Sequence, residues 1–116
     1  MLTKEEIQYK IDYEIIVDSH DEYEMSMGWY YFMEESITFP FKATAQLKKR
    51  DGSIEKKEVI IVGLSSDEES FMSNDFELEM ETEQHINKIS FSKLSNIKAS
   101  AETLEAFTIW NYWITK

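Results

Sequence analysis

Met27-Gly28-Trp29-Tyr30-Tyr31-Phe32-Met33-Glu34-Glu35-Ser36, closed by Phe39-Pro40-Phe41, is the stretch that divides this chain into a helical part and a stranded part. Its four consecutive aromatics, from Trp29 to Phe32, exceed what one apolar face of a helix or strand requires. Upstream, Tyr23, Met27, Tyr30, Tyr31 and Glu34 recur at spacings of three and four, with Met33 beside them, which predicts a helix over about 21–35. Gly28 in its middle costs that helix roughly 1 kcal/mol relative to Ala, so another backbone is expected to come close there. At Phe39-Pro40-Phe41 the regime changes, because proline disfavours the helical region for the residue before it and is tolerated at a strand start.

Working outward to the N-terminus, Ile7, Ile11 and Ile15 fall four apart and predict a helix over 4–18. Thr3 with Glu5 and Glu6 behind it makes a suitable N-cap, and Ser19-His20-Asp21 breaks the pattern. Toward the C-terminus, Phe41, Ala43, Ala45 and Leu47 alternate with polar residues, as a half-buried strand does. Lys49-Arg50-Asp51-Gly52-Ser53 carries the Asp-Gly hairpin signal. Further strands are predicted over 58–64, 75–83 and 86–91, and Leu94-Ser95-Asn96-Ile97 reads as a turn feeding a last brief strand. Residues 100–116 return to helical spacing, with Leu104, Phe107, Trp110 and Ile114 as one stripe and Ile109 and Trp113 widening it. Ser100 followed by Thr103 is a loose capping match, since Glu is the preferred partner there. The expected architecture is α+β: a small barrel or strongly bent antiparallel sheet of about five strands, its open side covered by amphipathic terminal helices.

The 116 residues suit one domain, 1–116, with a single core. No apolar run reaches the length of a membrane-spanning helix, the N-terminus lacks a secretory pattern, and there is no cysteine, so a cytoplasmic location is expected. Asp and Glu number 23 against 12 Lys and Arg, a formal net charge of −11. Nucleic-acid binders need a basic footprint, so neither nucleic acid nor an anionic membrane is an expected partner. Cations or a basic protein are. Three scattered glycines build no phosphate loop, His20 and His85 have no zinc-ligand spacing, and no Gly-x-Ser-x-Gly elbow occurs, so no enzyme is expected.

Four carboxylate groups remain. Asp18, Asp21, Glu22 and Glu24 surround the break between the helices. Asp75, Glu77, Glu79, Glu81 and Glu83 lie along one strand face, where Lys56, Lys57 or Lys88 on neighbouring strands would pair with them. Asp67, Glu68 and Glu69 follow Ser65-Ser66 and suit either a capping box or an oxygen-rich calcium turn. Glu34 and Glu35 are the sharpest case. A helix C-terminus already carries partial negative charge, and each added carboxylate costs about 0.3–1 kcal/mol. A bound cation reverses that sign, and carboxylates with carbonyls are the hard oxygen ligands Ca²⁺ accepts. The alternative is an exposed helix end with both charges pointing away. No EF-hand loop is present.

The stretch from Met27 to Glu35 with Phe39-Pro40-Phe41 closely resembles the signature of the cyanobacterial calcium-binding protein (CcbP) family: Met-Gly-Trp-Tyr-Tyr, an apolar pair, an acidic pair, then Phe-Pro-Phe. Glu14-Ile15-Ile16-Val17-Asp18, the acidic turn near Glu68 and Trp110-Asn111-Tyr112-Trp113 extend the likeness over nearly the whole chain. The family's acidic pair reads Glu-Asp, where this chain has Glu34-Glu35. The resemblance implies an SH3-like barrel with helices, binding Ca²⁺ without an EF-hand as a buffer or sequestering protein. Glu34, Glu35, Asp67, Glu68 and Glu69 are the expected ligands. The competing reading is an acidic interaction module, of inhibitor or immunity type, for a basic partner. Association that survives a chelator but weakens with salt would single it out.

Overall fold

The computed structural model describes residues 2–65, 71, 75–83 and 85–115. The chain opens with α1 (Lys4–Lys10), whose Thr3 and Glu6 form a reciprocal capping box. Isoleucines four apart drift by about 40° per step around an α-helix of 3.6 residues per turn. The chain removes this drift by switching to a π-helical turn over Ile11–Ile15, marked by the bond from Ile16 N–H to Ile11 O at 2.9 Å. Its wider turn keeps Ile7, Ile11 and Ile15 all on the core, at 5%, 0% and 4% exposure. The single α-helix expected over 4–18 is therefore corrected to a short α-helix followed by a π turn.

After a turn through Asp18, which takes a left-handed φ of 58°, α2 (Glu22–Ser36) begins at the N-cap Asp21. It buries Ser26, Trp29 and Met33, whereas Tyr23 and Tyr31 of the expected stripe are exposed. A run of four aromatics offers more than one apolar stripe, and the neighbour decides which is used. Trp29 sits edge-on to Trp110 at 4.9 Å and to Phe32 at 5.9 Å.

Among the described residues five strands follow: β1 (Phe41–Lys48), β2 (Ile54–Leu64), β3 (Glu77–Thr82), β4 (His85–Ser90) and β5 (Leu94–Lys98). β1 buries Phe41, Ala43 and Ala45 and exposes the residues between them more, as the alternation predicts. The β1–β2 hairpin turns at residues 49–53, with Gly52 at φ +90°. There Asp51 accepts hydrogen bonds from the Ser53 hydroxyl and N–H, at 2.6 and 2.8 Å, which hold its carboxyl below the ordinary carboxylate range. β2 starts earlier than the predicted 58–64 because Ile54 is already in register with Lys48.

The sheet is antiparallel in the order β4-β3-β2-β1-β5. Among the described residues no ladder joins β4 to β5, so the expected SH3-like barrel is an open sheet. A three-residue 3₁₀ turn, Phe91–Lys93, carries the chain from β4 away to β1. The final helix, α3 (Ala101–Thr115), supplies apolar cover in place of that missing ladder. Its Phe107 lies 4.7 Å from Phe91, and its Trp110 lies 5.4 Å from Phe76. Leu104 of the expected stripe is 40% exposed, while Thr103, Ala106, Phe107, Ile109 and Trp110 are buried.

Thr103 explains the loose capping match. Its N–H donates to the Ser100 hydroxyl at 3.2 Å, and its Oγ1 accepts from that hydroxyl at 2.9 Å and from Thr38 N–H at 2.9 Å. One fully buried hydroxyl thus ties the start of α3 to the segment leaving α2. Thr103→Val keeps the shape and removes the acceptor, so a stability loss of about 1–3 kcal/mol is expected in denaturant unfolding. A variant as stable as the parent would show that the Thr38 N–H needs no partner.

Candidate metal centre

The sharpest acidic pair sits where the helix ends. Glu34 and Glu35 are in the last turn of α2, both exposed, with no basic residue in that turn. Consecutive helical residues point about 100° apart at 3.6 residues per turn. The pair is accordingly split: Glu35 lines a surface groove and Glu34 is not among the groove's residues.

That groove is built by three segments. The π turn contributes Glu14, the end of α2 contributes Glu35 and Ser36, and the first turn of α3 contributes Glu102. Its floor includes Ile15 and Gly28. The close approach expected at Gly28 is present: a Cβ there would lie 2.2 Å from the Ile15 carbonyl oxygen. Glycine at this position lets the π turn lie on α2 and brings Glu14 to the groove that Glu35 lines. The groove also has one lysine, Lys10, whose ammonium is engaged by Glu105 of α3 at 3.4 Å.

The donor set is three carboxylates with the Ser36 and Tyr31 hydroxyls, all hard oxygens, with no sulfur and no imidazole. Such a set suits Ca²⁺ and not zinc or copper. Among the described residues, no three carboxylates or imidazoles are gathered tightly enough to cage an ion. The exposed glutamates have the rotamer freedom to close on one.

The remaining acidic groups separate clearly. Asp21 and Glu24 serve capping: Asp21 Oδ1 accepts from Glu24 N–H at 2.8 Å, and Glu24 Oε2 accepts from His20 N–H at 3.1 Å. Asp75 accepts from Phe76 N–H, Ser92 N–H and the Ser92 hydroxyl, which pins the entry to β3 against the 3₁₀ turn. On β3, Glu79 stands across from Lys88 in register, yet no ion pair forms within 4 Å. Lys56 and Lys57 are in register with β1 and not with β3, contrary to expectation. Asp67, Glu68 and Glu69 lie outside the described residues.

Sequence reasoning missed Glu14 and Glu102 as companions of Glu35. Each has a local explanation, one in an amphipathic helix and the other in a helix's first turn. Their only shared signal is third-dimensional.

The chain matches a family model described as calcium binding, of CcbP type, over residues 9–114. No curated protein matches it. Its fold is similar to the crystal structure of Anabaena CcbP, with a TM-score of 0.84 and 29% identity over 100% of this chain and 94% of that one. It is also similar to a calcium-binding protein solved in its calcium-binding form, with a TM-score of 0.77 and 29% identity over 96% and 90% of the two chains.

Proposed function

The chain belongs to the CcbP family of calcium-binding proteins, and from that premise we propose that it takes up Ca²⁺ in the groove at the end of α2. Glu35 is the central ligand, and Glu14 and Glu102 are its companions. Glu34, one residue away, adds negative charge without lining the groove. Asp67, Glu68 and Glu69 form a second proposed donor set, on sequence grounds. The role is that of an acidic buffer or sequestering protein without an EF-hand.

The observation that carries this reading is the convergence of carboxylates from three separate helical segments on one groove. Their mutual repulsion adds to that of the α2 carbonyl end. A divalent cation turns each of these terms favourable. The one lysine in the groove is drawn to Glu105, so it does not neutralise the site.

Calorimetric titration tests the assignment. Glu35→Gln keeps the shape and removes one charge, and affinity depends strongly on ligand charge count, so Ca²⁺ binding is expected to weaken about tenfold or more. Glu55→Gln, at the far hairpin where Glu55 pairs with Lys49 at 3.0 Å, is the matched control and is expected to bind as the parent does. Equal affinity in Glu35→Gln and the parent would remove Glu35 from the site.

A further inference from the structure

The open seam of the sheet carries a charge pattern opposite to that of the rest of the molecule. Two adjoining cavities lie along it and share Gln46, Lys48 and Lys93. The first adds Gly52 and Ile54 from the hairpin end. The second adds Lys88, Ser90 and Glu77 from β4 and β3. Three ammonium groups and one carboxylate therefore line this recess, in a chain of net charge −11. Lys10, Lys49 and Lys98 each reach a carboxylate within 3.4 Å. Lys48, Lys88 and Lys93 reach none within 4 Å among the described residues.

Sheet edges commonly carry lysines that block edge-to-edge pairing. That accounts for Lys88 on β4. It also covers Lys48, which lies past the last β1–β5 pair, Ala45 with Leu94, but not Lys93, which stands in the 3₁₀ turn and on no strand. Nor does edge protection call for the Gln46 amide and Ser90 hydroxyl beside the lysines. Three ammonium groups and one carboxylate leave the recess net positive, an imbalance that a bound anion relieves, and lysine ammonium groups bind phosphate as point charges.

We infer that the seam recess formed by Lys48, Lys88 and Lys93 with Gln46 and Ser90 binds a phosphate-bearing anion. This site lies on the sheet, is independent of the proposed calcium groove, and is testable without calcium. Inorganic phosphate is titrated into ¹⁵N-labelled protein in chelator, at ionic strength held constant with chloride. Saturable amide shifts are expected at Gly52, Ser90 and the neighbours of Lys48 and Lys93. The double variant Lys48→Gln/Lys93→Gln is expected to weaken binding about tenfold, since two charge-assisted contacts are lost. Lys98→Gln, on β5 and paired with Glu58, is expected to leave it unchanged.

A second arm identifies the source of the phosphate, by co-sedimentation with phosphatidylglycerol vesicles. Retention lost in the double variant assigns a lipid headgroup, and phosphate shifts without retention assign a free anion. Absence of both, or equal binding by the double variant, would overturn the site.

Discussion

Gly28→Ala is expected to lower the thermal midpoint by roughly 10 °C and to weaken calcium uptake in the same protein. In an isolated helix the substitution would help, by about 1 kcal/mol. Here the new methyl carbon would sit 2.2 Å from the Ile15 carbonyl oxygen, far inside contact distance. The obstacle is backbone, so no rotamer change relieves it. The π turn must lift from α2, which strains the burial of Ile11 and Ile15 as well. Overpacking of this kind costs about 1–3 kcal/mol, and disrupting packed isoleucines adds to it. A net loss of about 3 kcal/mol corresponds to roughly 10 °C for a domain of this size. Gly28 also floors the groove that Glu14 and Glu35 share, so the displacement parts those carboxylates. Circular-dichroism melting and calcium calorimetry on one preparation read both effects. An alanine variant that melts within the error of the parent would show that the helices separate without cost.

Trp110→Ala is expected to cost about 3–5 kcal/mol, the range for emptying a buried aromatic site. Trp110 is fully buried and meets Trp29, Phe71 and Phe76 edge-on at 4.9, 5.5 and 5.4 Å. It joins α2 and α3 to the sheet, so its loss empties the point where three layers meet. Trp110→Phe is expected to cost far less, about 1 kcal/mol, because ring contact survives and no hydrogen bond is lost. The indole N–H of Trp110 has no acceptor among the described residues. Urea unfolding of the pair measures the difference. Equal losses in the two variants would mean that the N–H is satisfied after all and that the ring's bulk matters little.

Much of this was legible along the chain. The alternation from Phe41 to Leu47 identified β1 and its buried face, because neighbouring side chains on a strand must point to opposite sides. Asp51-Gly52 located the hairpin, since glycine reaches a positive φ without steric cost. Thr3 and Ser100 announced helix starts through their side-chain oxygens, whereas Asp21, read only as part of a break, caps α2 in the structure. Gly28 announced a close contact without saying with what. The isoleucine spacing of four is ordinary for an α-helix, so it gave no sign of the π turn over Ile11–Ile15.

Other features carried no local trace. Whether Trp29 or Tyr31 faces the core depends on where Trp110, far away in the sequence, lies. Whether five strands close into a barrel depends on where β5 goes after a three-residue turn, and it goes to β1. The stripe read onto α3 misplaced Leu104 for the same reason, because periodicity supplies a face but not its partner.

By itself the sequence determined most of the helical and stranded segments, the hairpin, the helix starts and the acidic pair at a helix end, because sterics, capping and side-chain periodicity act over a few neighbouring residues. Only the tertiary structure decided that Glu35 shares a groove with Glu14 and Glu102 while Glu34 does not, and that three lysines line an open seam. Those arrangements follow from the mutual placement of elements far apart in the chain. That placement is decided by core burial and by one glycine's contact with a distant carbonyl, and no short-range pattern encodes it.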